Sequence, residues 1–439
     1  MRTILLFALC ITCGMTGIVS AQTPATLREC LEIGLTNNYS VRIVQNNQRI
    51  TDNNATRANA GALPTVGLTG GYTGQLYDIR TTPETGDKTK ENGIYNQSAN
   101  IGLNASWTLF DGFSIQTNYD KLQELKALGS IRTRITMEDF VANLTSEYYN
   151  YIQQQIRLEN FRYAVSLSRE RLRIVEARYL IGSFSRLDLL QARVDFNADS
   201  SAYMNQTELV LASRIRLNEM MANPEVTAEL NVRDSVIWID KDLEWKQLEA
   251  ETFIANSELL ASERDEVLAE LDLKSIRSRN YPYVNLNAGY GYNWNGYGSG
   301  STKYRGQLGP TAGLTVGFTV FDGNRRREQR NARIQIENAR LQKEELEQGL
   351  MADLANFWQA YLNNLQIIRI EEENLIAAKE NLEIAQERYF LGDLSGIEMR
   401  EAQQSLLNAE ERILSARYNT KLCEISLLLI SGNVLSYLQ

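Results

Sequence analysis

The chain states one pattern twice. Arg178-Tyr179-Leu180-Ile181-Gly182-Ser183-Phe184-Ser185 returns as Arg388-Tyr389-Phe390-Leu391-Gly392-Asp393-Leu394-Ser395, an offset of 210 residues at the glycine. The same offset joins Ala192 to Ala402, Tyr148 to Trp358 and Tyr151 to Tyr361. A second echo, Thr108-Leu109-Phe110-Asp111-Gly112 against Thr319-Val320-Phe321-Asp322-Gly323, lies at offset 211, and Pro64 is matched by Pro282. Solenoid repeats run to roughly 20–50 residues, so a unit this long means two halves of one architecture.

Proline placement sets the shape of each half. None of the six prolines falls between Gly112 and Gly182 or between Gly323 and Gly392. Both intervals are dense in Leu, Ile, Ala, Glu, Arg and Gln, all strong helix formers. Each half is therefore expected to hold one unbroken helix of about 65–70 residues, roughly 100 Å long, which requires coiled-coil packing. Shorter helical patterns span 26–60 and 242–279 before the strand regions, and 185–221 and 395–430 after the glycine turns. Thr26 and Glu29 have capping-box spacing. Two short helices end to end match one long one, which predicts a tall cylinder wall.

Between opening helix and long helix the period changes from 3.6 to 2. Ile101, Leu103, Ala105, Trp107 and Leu109 alternate with Gly102, Asn104, Ser106 and Thr108. Ala312 to Val320 and Val284 to Trp294 do the same, and Val66, Leu68 and Tyr72 mark a less regular first strand. Apolar residues alternating with small polar ones over about ten residues suit a transmembrane β-barrel; a soluble two-sided sheet alternates in the same way. The stretches 81–96 and 295–307 read as long polar loops, Pro83 and Pro310 as loop residues, and Ser235 to Ile239 as a strand outside the barrel. Four strands cannot close a barrel whose smallest size is about eight. Two copies would supply eight and three copies twelve.

Residues 1–21 read as a cleavable export signal: Arg2, an apolar run from Ile4 to Val19, and Val19-Ser20-Ala21 as cleavage site. Cys10 and Cys13 leave with it, so Cys30 and Cys423 are expected as small buried helix residues, with a disulfide as the alternative. The chain has no histidine, which removes Ser-His-Asp and Cys-His nucleophilic sites and the commonest zinc ligand. No enzyme, cofactor or metal is expected. A net charge of −9 gives no basis for nucleic-acid binding.

The duplicated halves, the strand pair within each, the Phe-Asp-Gly at each entry to a long helix and the two Arg-Tyr-x-x-Gly-x-x-Ser turns together resemble the TolC-type outer-membrane efflux channels along the whole mature chain. The resemblance implies a mainly α fold with transmembrane β: long antiparallel coiled-coil helices forming a periplasmic α-barrel, and four strands per chain contributing to a shared twelve-stranded trimeric barrel. The implied organisation is a signal at 1–21, a first repeat over 22–222, a linker over 223–241 and a second repeat over 242–439. It implies a homotrimer in outer-membrane lipid, reaching into the periplasm. There it meets a periplasmic adaptor and an inner-membrane transporter and passively passes on what they deliver, in tripartite efflux or type I secretion. The alternative is a periplasmic or surface coiled-coil structural protein with a barrel anchor.

The turns would be the tip of such a tunnel. Gly182 and Gly392 can end a helix in the left-handed conformation. Ser185 and Ser395 then N-cap the next helix, with Asp188 and Glu398 completing capping boxes, and Phe184 with Leu189 and Leu394 with Met399 form hydrophobic staples. Glu398 and Glu401, spaced i, i+3 on one helix face, match the family's acidic gate rings. Asp188 and Tyr389 match its tip-closing contacts. The turn residues Arg178, Gly182, Ser185, Arg388, Gly392 and Ser395 form the surface where the adaptor would dock.

Overall fold

A computed structural model describes residues 26–84, 86–230, 232 and 234–438; the expected signal lies outside the described residues. The chain opens with α1 (Leu27–Asn37) and α2 (Tyr39–Asn54), forms β1 (Thr65–Thr81) and β2 (Thr89–Asp111), runs along α3 (Ser114–Leu180) and returns on α4 (Arg186–Met220). The same order recurs as α5 (Trp245–Ala255), α6 (Ser257–Ser278), β3 (Tyr283–Gly296), β4 (Tyr304–Gly317), α7 (Gly323–Leu391) and α8 (Gly396–Ile430), followed by a 3-10 turn at Val434–Leu438. No described helix is long and apolar enough to cross a membrane.

The long helices α3 and α7 have 67 and 69 residues, about 100 Å each. The aspartate of each Phe-Asp-Gly starts its helix. Asp111 accepts the Ile115 N–H at 3.1 Å and Asp322 accepts the Asn324 N–H at 3.0 Å, which satisfies donors that a helix start leaves free. The two starts differ in backbone. Gly112 has φ +71°, and a Cβ there would lie 2.1 Å from the Ser278 carbonyl oxygen. Glycine is required at that position both for conformation and for space.

The four strands form one antiparallel sheet in the order β1-β2-β3-β4. Its register carries the alternation across every strand. One row reads Leu68, Leu103, Tyr290, Pro310 and a neighbouring row on that face reads Gly70, Ile101, Tyr292, Leu308. The opposite face reads Gly67, Asn104, Gly289, Thr311 and then Thr69, Gly102, Gly291, Gly309. The apolar face is open within the chain; Leu68 is 69% and Leu308 63% exposed. Uncovered apolar area of this extent is a surface for lipid.

Several expectations need correction. The loops are shorter than 81–96 and 295–307, because β1 and β2 pair as far as Thr81 and Thr89, and β3 and β4 as far as Gly296 and Tyr304. Pro310 lies inside β4, the edge strand, where a missing N–H is tolerated. The alternation through Val320 outruns the strand, which stops at Gly317. Residues 235–239 form no strand. They belong to an extended strap held by side chains: Tyr148 Oη donates to Asp234 at 2.6 Å, Tyr151 Oη to the Leu230 carbonyl at 3.2 Å, and Tyr361 Oη to the Asp240 carbonyl. Tyr151 and Tyr361, one repeat apart, thus perform the same task. Cys30 and Cys423 are both buried and unpaired; burial pushes the Cys30 thiol up to about 12.

The two opening helices are each broken by an asparagine. Asn38 Oδ1 accepts from Ser40 N and Val41 N while Nδ2 donates to the Met220 carbonyl at 2.9 Å. Asn256 Oδ1 accepts from Leu259 N while Nδ2 donates to the Ile430 carbonyl at 2.9 Å. Each asparagine N-caps one helix and ties it to the C-terminal end of another, which stacks α2 on α4 and α6 on α8. The side chain is short enough to serve both ends, and propensity alone does not reveal that second role.

Beside these joints lies a buried ion pair. Lys421 and Glu424 are 0% and 1% exposed and meet at 2.6 Å. Glu424 also accepts the Tyr437 hydroxyl at 2.8 Å and the Asp240 N–H at 3.0 Å. The ammonium lies 4.8–5.4 Å from the ring centroids of Tyr437, Tyr149 and Trp238, within cation–π range. Burial holds the Lys421 pKa below its ordinary value, and the Glu424 carboxylate opposes that shift. Removing one partner strands the other charge, so Lys421→Met is expected to cost about 3–5 kcal/mol, whereas Lys421→Met with Glu424→Met should recover most of it. Urea unfolding of the two variants against wild type checks this.

Candidate functional site

At the end far from the sheet, α3–α4 and α7–α8 form two helical hairpins whose turns repeat atom for atom. Gly182 and Gly392 have φ +79° and +90°. Ser183 N donates to the Arg178 carbonyl at 2.9 Å, and Asp393 N to the Arg388 carbonyl at 2.9 Å. These are the bonds of a Schellman turn, which consumes carbonyls left free at a helix end. Ser185 and Ser395 cap the following helices, and the capping boxes are complete. Asp188 accepts Ser185 N at 2.9 Å and Oγ at 2.7 Å; Glu398 accepts Ser395 N at 3.0 Å and Oγ at 2.7 Å. These hydrogen bonds hold both carboxyls below their ordinary range. The staple residues Phe184, Leu189, Leu394 and Met399 meet in one cluster with Val175, Ala192, Tyr389 and Leu406. The two tips are packed on each other.

Arg178 joins them further. Its guanidinium donates to the Phe390 carbonyl at 2.9 Å and the Tyr389 carbonyl at 3.4 Å. It lies 5.3 Å from the Phe184 ring centroid and 5.7 Å from that of Tyr389. A cation is thereby placed on the negative end of α7. Arg388, its counterpart, is exposed and has no side-chain hydrogen bond or ion pair among the described residues.

Charged residues absent from the sequence-based expectation carry the strongest link between the hairpins. Arg400 on α8 grips Asp199 on α4 with two bonds of 2.7 Å. Within the first hairpin, Arg171 on α3 pairs with Asp195 on α4, and Gln191 holds the other oxygen of Asp195 at 2.9 Å. Arg157 on α3 forks onto Glu411 of α8, at 2.6 Å through Nε. Bidentate arginine–carboxylate pairs are the strong members of their class. Burial pulls the Arg171 pKa down, and the Asp195 carboxylate opposes this. The network uses positions the other copy does not repeat: at an offset of 210, Asp195, Asp199 and Arg171 meet Ser405, Ala409 and Asn381, and Arg400 meets Leu190. A search for differences between the halves, rather than matches, would have found it.

A groove of about 430 Å³ opens between the hairpins, lined by Arg171, Asp188, Gln191, Tyr389, Asp393 and Ile397 among others. Asp188 and Tyr389 both face it, and no hydrogen bond joins them. Asp188 is engaged by its own cap, while Tyr389 is 2% exposed and its hydroxyl lacks a partner. Burial raises the Tyr389 pKa. Glu398 serves as a capping residue. Glu401 is exposed and has no hydrogen bond or ion pair among the described residues. Among those residues no group of three or more His, Cys, Asp and Glu side chains could hold a metal.

A sheet with a lipid-type face set on two stacked helical hairpins defines a class, the outer-membrane channels with a periplasmic helical wall. The chain belongs to the outer membrane efflux protein family, whose model matches residues 31–223 and 251–433. It is an outer-membrane protein that extends into the periplasm. Its fold is similar to that of the outer-membrane protein VceC of Vibrio cholerae (16% identity, 92% of this chain and 96% of that one, TM-score 0.74). The CmeC channel of Campylobacter jejuni is similar too (15%, 93% and 85%, 0.76), as is the open state of the MtrE channel of Neisseria gonorrhoeae (18%, 93% and 89%, 0.67). No curated protein matches the chain.

The depressed carboxyls set a pH dependence. Groups whose folded pKa is lowered stabilise the tip above their ordinary pKa, about 4, and this is lost as pH falls through the folded values. The first turns of α4 and α8 are therefore expected to lose amide protection, measured against the unstructured exchange rate at the same pH, once the pH drops below about 4, and Ser185→Ala or Ser395→Ala should do the same at neutral pH, each costing about 1 kcal/mol. Hydrogen exchange resolved to the tip peptides checks both.

Proposed function

We propose that three copies of this chain form the exit duct of a tripartite efflux or type I secretion system, passively conducting what an inner-membrane transporter and a periplasmic adaptor deliver. The observation that carries this reading is the four-stranded sheet with an unbroken apolar face and two unpaired edges, mounted on hairpins that extend away from it. Lipid does not tolerate open sheet edges, so copies must supply the missing partners. Three copies give twelve strands, the stoichiometry of the resembling family.

The tip supports the rest. Because the turns satisfy their own backbone groups, Leu180, Ile181, Leu391 and Ile397, each at least 76% exposed, are free to meet another protein. In this reading the adaptor docks on that surface, around Arg178, Gly182, Ser185, Arg388, Gly392 and Ser395. The Arg400–Asp199 and Arg157–Glu411 pairs, with Asp188 and Tyr389 at the tip below them, hold the two hairpins of a protomer together in the closed state. Glu401, with Glu398 behind it, places carboxylates around the mouth, which favours cations.

Planar-bilayer conductance tests the gate. Asp199→Asn and Arg400→Gln are each expected to raise single-channel conductance several-fold by releasing one hairpin from the other. Glu401→Gln should lower the preference for cations without changing oligomeric state. An unaltered conductance in both lock variants would remove the network from the gate, and recovery of the mature chain from the soluble periplasm would sink the channel itself.

A further inference from the structure

Unpaired acid collects at the joint that Asn256 makes between α6 and α8. A groove of about 270 Å³ opens there between α3, the start of α6, α7 and the end of α8. Glu138 and Asp139 line it from α3, Glu258 from α6 and Asp353 from α7. Glu138 is committed to Arg134 at 2.7 Å. Asp139, Glu258 and Asp353 have no hydrogen bond or ion pair among the described residues. The helices themselves bring no cation to offset them. No lysine or arginine lies between Arg134 and Arg157 on α3, before Arg264 on α6, between Lys343 and Arg369 on α7, or after Lys421 on α8. Desolvation accordingly raises the Asp139 pKa, with no opposing charge beside it.

A hydroxyl is left over in the same place. Ser257, the first residue of α6, lines the groove, is 3% exposed, and its Oγ has no partner. Buried hydroxyls are normally hydrogen-bonded, so this one is available to a group that enters the groove. Much of the remaining lining is apolar, with Leu350, Leu429 and Ile430 beside a partly exposed Phe357 ring. The corresponding joint of the first half, at Asn38, also opens on a groove, and Asp139 reaches that one too. Its other acids are engaged: Glu219 pairs with Arg216 at 2.8 Å, and Glu147 accepts from Ser213 at 2.6 Å.

We infer that the groove at the Asn256 joint binds an amphipathic organic cation, an amine carried on an apolar ring system. The ammonium lies among Asp139, Glu258 and Asp353 and donates to Ser257 Oγ, while the apolar body rests on Leu350, Leu429 and the Phe357 ring. A compact metal ion does not fit, because among the described residues no three acidic side chains converge closely enough to hold one. On α3, Phe140, Leu144 and Tyr148 turn to the core under the strap, whereas Ile135, Glu138 and Asp139 lie on the other side of the helix. A strap turned inward would fill a bore, so in the ring of three proposed above the groove faces the bore. It lies about 60 Å along α3 from the tip, well separated from Glu398 and Glu401. The duct thus gains a station for cationic amphiphiles within its wall.

Only the direction in which the groove faces rests on that ring; the site lies inside one chain, so the two are tested separately. Equilibrium dialysis of the purified protein in non-ionic detergent against protonated 9-aminoacridine should show saturable binding of one probe per chain. The anion 9-anthracenecarboxylate, similar in shape, should not bind. Glu258→Gln with Asp353→Asn should weaken the cation about tenfold, as expected for charge pairs lost from a partly shielded site. Ser257→Ala and Phe357→Leu should each weaken it several-fold, and Glu401→Gln, at the tip, should leave it unchanged. Variants are compared at the native mass and circular dichroism of the wild type. Absence of saturable binding, undiminished affinity in the Glu258→Gln, Asp353→Asn variant, or equal uptake of the anion overturns the inference. A native mass other than three chains removes the bore, and the dialysis still decides the site.

Discussion

A backbone N–H or C=O in hydrocarbon must find a partner within the protein, because no water is there to take its place. For this chain that requirement falls on two strand edges, β1 and β4. The helical parts satisfy themselves: α3 and α7 bond along their whole length, and their ends are closed by aspartate, serine and glycine. The sheet alone keeps two unpaired edges within the chain.

The middle of the molecule meets a different demand. Helices of about 100 Å need lateral support somewhere between membrane and tip. Here α1, the strap, α8 and the C-terminal 3-10 turn converge on α3 around the Lys421–Glu424 pair. A buried ion pair adds little net stability compared with an apolar replacement. Its value lies in direction: the Glu424 carboxylate has room for Lys421, Tyr437 and Asp240 N–H in one arrangement, which fixes strap and terminus on α8. Asn38 and Asn256 act in the same spirit, each letting a helix change direction while remaining attached.

Much of the site was legible from residues alone. The tip turns depend on contacts within a few residues, so Gly182, Ser185 and Asp188, with their echoes at Gly392, Ser395 and Glu398, could be assigned roles from spacing. The long helices were legible because no proline interrupts them. The lock was not. Arg400 and Asp199 lie 201 residues apart, on different hairpins, and neither belongs to a motif. The breaks at Asn38 and Asn256 were missed for a related reason: each asparagine sits in a helical pattern, and the carbonyl that holds its amide comes from a helix more than 170 residues away. The strap's lack of strand pairing also has a tertiary cause, since buried tyrosines bond its backbone where a neighbouring strand would have done so.

By itself, the sequence determined the duplication, the period of each segment, the closed tip turns and the two-faced strands, all consequences of local sterics, hydrogen bonding and the alternation of side chains. Only the tertiary structure decided which arginine meets which carboxylate, where the opening helices bend, how far the strands pair and which of two equivalent arginines, Arg178 or Arg388, finds its partner inside the chain. Those outcomes depend on the packing of elements distant in sequence. A charge on a helix face carries no local record of the helix that will be set against it.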